Sequence, residues 1–415
     1  MASAAQNLTE PRVLAHTKRR LFPDDSADDS YAVVDTQFTA DRWLAEERLD
    51  RELAEVLAPF NHVRVGSGYP DLVGVRLLDD EFLAVERFGD DPPLVAIEAK
   101  GYTESGRVGV ERGVVQAYDR LHEANAAYVA APAKAVSQSA RTLARELNVG
   151  VLGVEADGSV EPLETPRLVG SRTTTETSAI RFQASAQGVA NKSFGLNHPK
   201  NYLGYPLAHY ADGPTAELMK ENKVVREVDS ARQGAAFLNL VDDRPEGVRL
   251  TPLGREVVRF ALHRYDSAED ALATFPNWYR KSKCFYDLAP SWGQLTRRVV
   301  FAYPATQLLV EEIQHLHEDG FPEPMLVDLV EYLHELHPSF TVELFIRGTD
   351  DARERVLDRD GELRTAPLAD GNIYHSPTVF QLKAMLFHAG ILTERGAEPS
   401  NLDPESDLWA LREPL

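Results

Sequence analysis

The chain has 415 residues, enough for two or three domains, because single cores seldom grow past roughly 250–300 residues. Its 43% hydrophobic content supports sizeable cores, no apolar run approaches the ~20 residues of a membrane span, and the single Cys284 excludes a disulfide framework or a thiolate zinc cluster. With 65 acidic and 44 basic residues the net charge is −21, which in ordinary salt argues against nucleic-acid binding.

Residues 1–37 lack the apolar centre of a signal peptide and read as a flexible tail, so a cytoplasmic protein is expected. Residues 38–166 read as one α/β unit. The stretch "TADRWLAEERLDRELAEVLAPF" puts Leu49, Leu53, Val56 and Leu57 at helical spacing. Three strand-like runs follow, Val73–Leu77, Phe82–Arg87 and Leu94–Ala99, separated by Asp79-Asp80 and by "GDDPP", both turn compositions. "SGRVGVERGVVQAYDRLHEAN" predicts a helix, "AAYVAAP" a strand, "SQSARTLARELN" a helix and "VGVLGV" a strand. Residues 167–195 form a polar, Thr-rich connector.

Residues 196–300 then give helix, helix, a two-strand wing around "DDRPEG" and another helix, extended by the basic and aromatic "NWYRKSKCFY". Residues 301–415 repeat this loosely. "EPMLVDLVEYLHEL" is a periodic helix, "SPTVFQLKAMLFHAGILTERG" a helix running into a strand, and "NLDPESDLWALREPL" the source of a returning strand.

The chemistry concentrates in "GYPDLVGVRLLDDEFLAVERFGDDPPLVAIEAKGY". Side chains alternate along a strand, so Glu98 and Lys100 share one face, their positions roughly 6.5–7 Å apart. Folding the meander can bring the Asp71 carboxylate beside Glu98. Two carboxylates there make a hard oxygen site suited to Mg²⁺, with Mn²⁺ as a substitute, and the neighbouring lysine can hold an attacking water. The blander reading makes Asp71 a turn cap and Glu98–Lys100 a solvated pair; the apolar flank "LVAI" weighs against it.

"YPD" followed by "EAK" within this order of elements resembles the PD-(D/E)xK, or restriction-endonuclease-like, nuclease superfamily, over roughly residues 40–160. "RGVVQAYDRLHEANAAYVAAP" is similar to the glutamine-bearing helix and following strand of many such nucleases. The resemblance implies metal-dependent phosphodiester hydrolysis. Asp71 and Glu98 would be metal ligands with the Ala99 carbonyl, Lys100 would act on the nucleophile, and Gln116 would order the site. Relatives often add an acidic residue from the first helix, and Glu46 is the choice here, although a solvated helix face explains it equally well.

The second and third regions resemble winged helices, which bind DNA or contact other proteins. Arg232 and Gln233 on one helix and Arg244 in the wing are candidates for DNA contact. In "NWYRKSKCFY", Arg280, Lys281 and Lys283 can meet phosphates while Trp278 and Tyr279 can stack on bases; an amphipathic connector with its aromatics in the core is an equal alternative. High Asp/Glu with only ten lysines resembles proteins of salt-loving archaea. In molar salt the Debye length is about 3 Å, so the acidic balance would hardly repel DNA. The expectation is thus an Mg²⁺-dependent DNA endonuclease with winged-helix recognition domains and no membrane partner. Cutting both strands would call for two active sites, as a homodimer supplies. The rival reading is an inactive nuclease fold serving as a winged-helix regulator or scaffold.

Overall fold

The computed structural model describes residues 8–23, 30–35, 51–60, 63–84, 92–103, 105–169, 175–187, 195–244, 247–280, 282–358 and 362–413. The chain divides into two compact units. Met1–Arg87, Pro92–Gly188 and His337–Pro367 form the first; Phe88–Asp91, Val189–Leu336 and Leu368–Leu415 form the second.

The first unit runs α1 (Glu10–Leu21), β1 (Tyr31–Val34), α2 (Arg51–Leu57), β2 (Leu72–Val75), β3 (Leu94–Ala99), α3 (Val110–Arg120), β4 (Ala126–Pro132), α4 (Gln138–Glu146), β5 (Gly150–Val154), β6 (Val160–Glu164) and α5 (Thr175–Gln187). Its six strands lie side by side in chain order. β1, β2 and β3 are antiparallel, β3, β4 and β5 parallel, and β6 antiparallel to β5. This is a mixed α/β architecture with a central mixed sheet flanked by helices, as the order of hydrophobic periods predicts.

Four expectations need correction. The run Phe82–Arg87 supplies no strand among its described residues. Asp80–Phe82 is a 3-10 turn, and buried Phe82 offers its carbonyl to the Tyr128 hydroxyl at 2.7 Å. The third strand of the meander is β1, from residues expected to be tail. The same tail contains α1, whose Pro11 and Glu10 suit a helix start and whose Lys18, Arg19 and Arg20 suit its end. Its Val13, Leu14 and Leu21 are fully buried, so α1 is core structure.

The two sheet faces are covered differently. Ala32, Val34, Leu72, Val95, Ile97, Ala99 and Tyr128 point to the side holding Val13, Leu14 and Leu21 of α1. On the opposite face Tyr31, Val33, Val73, Val75, Leu94 and Ala96 meet Ile180 and Ala184 of α5, while Ala127, Val129 and Val151 meet α3 and α4. The expected connector 167–195 therefore includes a helix that completes the sheet's core. The expected domain 301–415 is also divided, because His337–Pro367 belongs to the sheet unit. There Arg353 pairs with Glu343 at 2.8 Å and donates to the Tyr31 hydroxyl on β1.

The second unit opens with α6 (Pro199–Tyr210), α7 (Thr215–Glu221), α8 (Val228–Phe237), the antiparallel hairpin β7 (Val241–Arg244) and β8 (Gly247–Leu250), and α9 (Pro252–Arg264). Then come α10 (Ala268–Thr274), α11 (Phe285–Leu288), α12 (Pro290–Phe301), α13 (Pro304–Glu318) and α14 (Leu326–Leu336). Helices α15 (Pro338–Phe345) and α16 (Asp350–Val356) lie in the sheet unit, and α17 (Ser376–His388) returns to the second. The expected returning strand is present as short antiparallel bridges, Leu392 with Leu411 and Met325 with Leu408. Among the described residues no helix is long and apolar enough to cross a membrane.

Candidate active site

Strand register brings the candidate carboxylates together. Leu72 faces Ile97 across β2 and β3, so continuing that ladder by one residue sets Asp71 opposite Glu98. Val34 faces Leu72 across β1 and β2, and the ladder continues as Asp35 N–H donating to the Asp71 carbonyl at 3.1 Å. Alternation puts Asp35, Asp71 and Glu98 on the face that carries Tyr31, Val33, Val73 and Ala96, in one row across three strands. All three are buried.

Lys100 completes the expected set. Its Nζ stands 3.7 Å from Asp71 Oδ2 and 3.7 Å from Glu98 Oε2. Asp71 Oδ2 also accepts the Ala99 N–H at 2.6 Å, which ties the start of β2 to the end of β3. Helix α3 covers Lys100 closely: a Cβ at Gly113 would stand 3.0 Å from Lys100 Cγ, so glycine is what lets the lysine stem pass beneath the helix. The strand itself is apolar through Ile97, with Glu98 buried near its end and Lys100 just beyond it.

Two residues outside the site assigned from sequence also belong here. Glu10, at the start of α1, sits where a Cβ on Gly101 would overlap its backbone nitrogen, and Tyr102 N–H bonds the Leu8 carbonyl at 3.0 Å. Burial, then the Asp71 charge, push the Glu10 carboxyl up to about 7 despite the opposing Lys100. Arg120 is only 7% exposed, and its Nε donates to Glu98 Oε1 at 2.9 Å. The signals were available. "TEPRVLAHTKRRL" carries an acid-Pro start and a basic end, and Arg120 falls on the buried stripe Val110, Gly113, Val114, Ala117. Asp35 closes the apolar run "YAVV" as Glu98 nearly closes "LVAIEA".

The electrostatics record crowding. Burial, then Asp71, raise Glu98 to about 7 against the pull of Lys100 and Arg120. Burial raises Asp71 too, with Asp35 adding to it, while Lys100, the Ala99 N–H and Arg120 oppose. Buried carboxylates crowded so that one raises the next are an arrangement that a cation relieves. The donor set therefore fits a hard divalent ion held by few carboxylates and several waters. Among the described residues no group of three or more His, Cys, Asp or Glu is assembled as a ready metal cage.

Gln116 lies on α3 between Gly113, which borders Lys100, and Arg120, which holds Glu98. At about 100° per residue it is within roughly 60° of both. Its Oε1 is buried without a hydrogen-bond partner, and it is one turn from each contact residue. On the same helix Val114 is buried against the sheet while Val115 is 55% exposed. Glu46 lies outside the described residues.

The remaining candidates lie in the second unit. Arg232 is half-buried and Gln233 exposed on α8; Arg244 ends β7. Trp278 is half-buried and packs near Phe275, Phe285 and Trp292, with ring centroids 5.6, 6.1 and 6.2 Å away, so it is a core aromatic. Tyr279 is exposed, with Lys200 Nζ 4.2 Å from its ring centre. Arg280 and Lys283 are exposed, and Lys281 lies outside the described residues. No protein-family model, no curated protein and no solved structure matches this chain.

Proposed function

We propose that the chain is a cation-dependent nuclease of PD-(D/E)xK type that hydrolyses DNA phosphodiester bonds. The observation that carries this reading is the ladder that opposes Asp71 to Glu98, with Lys100 Nζ 3.7 Å from both. Asp71 and Glu98 would hold Mg²⁺ or Mn²⁺ together with the Ala99 carbonyl, and Glu10 supplies the first-helix acid that Glu46 was expected to supply. When bound, the ion lends Lewis acidity at the scissile phosphate and lowers the pKa of water. Lys100, held under α3, is placed to orient that water and to offset charge as the leaving oxygen departs. Gln116, with an unpaired amide oxygen on the same stripe, can accept a hydrogen bond from the water or a ligand.

The helices and hairpin of the second unit support a reading as two winged helices. In the first, α6, α7 and α8 precede the β7–β8 hairpin, so α8 with Arg232 and Gln233 takes the reading position. In the second, α13, α14 and α17 are accompanied by the Met325–Leu408 and Leu392–Leu411 bridges in place of a hairpin. The face of α17 is not free, since residues along nearly its whole length are buried. That favours a scaffolding role for the second winged helix and DNA contact through the first, with Tyr279, Arg280 and Lys283 nearby in sequence.

The test is direct. Plasmid, single-stranded and branched DNA are incubated with the full chain in molar KCl, with Mg²⁺ or Mn²⁺ and with EDTA, beside Glu98→Gln. Cation-dependent cleavage absent from Glu98→Gln is expected. Equal cleavage by the variant, or none on any substrate, sinks the nuclease reading and leaves the scaffold.

A further inference from the structure

We propose that Arg120 is the positioning residue of this site: its guanidinium locks Glu98 and the turn that delivers Asp71 into one frame, so that two carboxylates on different strands are presented together. The inference rests on the nuclease reading above and adds a residue that the motif does not contain.

The geometry is that of a fork with several acceptors. Nε donates to Glu98 Oε1 at 2.9 Å, and Nη1 donates to the Val65 carbonyl and to Asp119 Oδ2, both at 3.2 Å. Val65 begins a tight turn whose N–H bonds the Gly68 carbonyl at 2.8 Å. The guanidinium lies against Gly68, where a Cβ would stand 3.0 Å from Nη1 and 3.2 Å from Nη2. Gly66 takes φ +67°, and a Cβ there would meet the Asp119 carbonyl oxygen at 2.6 Å. Asp119 and Glu123 add their own grip, accepting from Ser67 N–H at 3.1 Å and from Gly66 N–H at 2.9 Å. The end of α3 thus holds the turn 65–68, and the chain passes through Tyr69 and Pro70 into Asp71.

Arg120 is the point where that hold meets β3. By engaging Glu98 Oε1 it leaves Oε2 facing Lys100. Glu98 stands in a row with Asp71 and Asp35, and like charges so placed push it toward other rotamers; a bidirectional donor opposes that. Lysine cannot substitute, because one ammonium on a flexible stem lacks the planar fork that spans Glu98 and Val65. Arg120 therefore acts through Glu98 and Asp71, without itself touching the reacting atoms.

The experiment uses the full chain as Arg120→Lys and Arg120→Ala, with wild type and Glu98→Gln for reference. Mn²⁺ affinity is read by electron paramagnetic resonance of the free ion at one fixed pH, and steady-state cleavage gives kcat and KM for DNA. Loss of a partner outside the ligand shell typically weakens metal binding about 10–100-fold, and both Arg120 variants are expected in that range. Arg120→Lys should fall with Arg120→Ala although it keeps the charge, kcat should drop while KM holds, and millimolar guanidinium should restore part of Arg120→Ala but none of Glu98→Gln. Wild-type Mn²⁺ affinity and kcat in Arg120→Lys overturn the proposal, as does a change confined to KM, which would make Arg120 a DNA contact. A wild type that binds no Mn²⁺ overturns the nuclease reading instead, and Arg120's role with it.

Discussion

Two clusters of buried charge, one in each unit, are built in opposite ways. In the second, Lys383 Nζ meets Asp407 Oδ1 at 2.7 Å and Trp409 Nε1 donates to Asp407 Oδ2 at 2.8 Å. One cation answers one carboxylate, and both oxygens are engaged. In the sheet unit burial raises Asp71, Glu98 and Glu10 alike, Asp71 adds to the rise at Glu98 and Glu10 and Asp35 to that at Asp71, while Lys100 opposes at all three and Arg120 at Asp71 and Glu98. A one-to-one buried pair is what structure needs. A surplus of buried carboxylate costs stability, and folds keep such a cost where a ligand is to be bound.

The largest effect that follows is a split between activity and stability. Asp71→Asn and Glu98→Gln should each lower cleavage by about 10³-fold or more, on the scale of losing one catalytic electrostatic contact. The same variants should unfold in EDTA at neutral pH no earlier than wild type, because a neutral amide relieves the repulsion. Plasmid assays and thermal melts check this together. A pronounced drop in Tm for either variant would place these carboxylates among ordinary structural pairs.

Next in size is the converse in the second unit. Lys383→Met should lower stability by about 3–5 kcal/mol, since it leaves Asp407 buried and uncompensated. Lys383 is only 1% exposed, so water cannot take over. Adding Asp407→Asn should recover part of the loss, and Mn²⁺ affinity of the folded protein should not change. Urea titrations of the single and double variants measure it. A loss under 1 kcal/mol would show that the pair contributes little.

What the sequence disclosed follows the same division. Asp71, Glu98 and Lys100 were legible because period-two alternation and an apolar flank determine which face they share. β4 and β5 were legible as continuous apolar runs, the mark of strands buried on both faces. Glu10 and Asp35 are not, because residues 1–37 are rich in polar residues and lack an apolar centre, a composition that reads as tail despite the helix signals in "TEPRVLAHTKRRL". The start of the run Phe82–Arg87 has strand composition, but Phe82 ends a 3-10 turn and offers its carbonyl to Tyr128, and tertiary packing overrides propensity there. Nor could local pattern reveal that His337–Pro367 returns to the sheet unit: Arg353, Glu343 and Tyr31 meet over a sequence separation that no window covers.

The smallest effects are in pH, where the two units should slope oppositely. In the second unit, burial and then Arg395 lower His388 from 6.5 to about 3, and its Nδ1 accepts the Phe285 N–H at 3.3 Å. His198, 4.5 Å away ring to ring, is lowered by burial first and by His388 and Lys200 next. The unfolded chain takes up these protons before the folded one does, so this stability is complete above pH 6.5 and drains as pH falls toward 3. Glu98 and Glu10 behave inversely. Raised from 4.5 to about 7, they hold protons that the unfolded chain releases, so their contribution is complete below pH 4.5 and is lost as pH rises through 7. Each slope should amount to about 1–2 kcal/mol after allowance for coupling between neighbours. In EDTA and molar KCl, the urea midpoint should therefore peak between pH 4.5 and 6.5. His388→Asn should flatten the acid side and Glu98→Gln the neutral side, each leaving the other limb intact. Mg²⁺ should lift the neutral limb of the wild type alone, by binding the ionised carboxylates of the folded chain. A midpoint that climbs steadily to pH 7 in both wild type and Glu98→Gln would mean that the row across β1, β2 and β3 carries no excess charge, and the contrast between the two units would collapse.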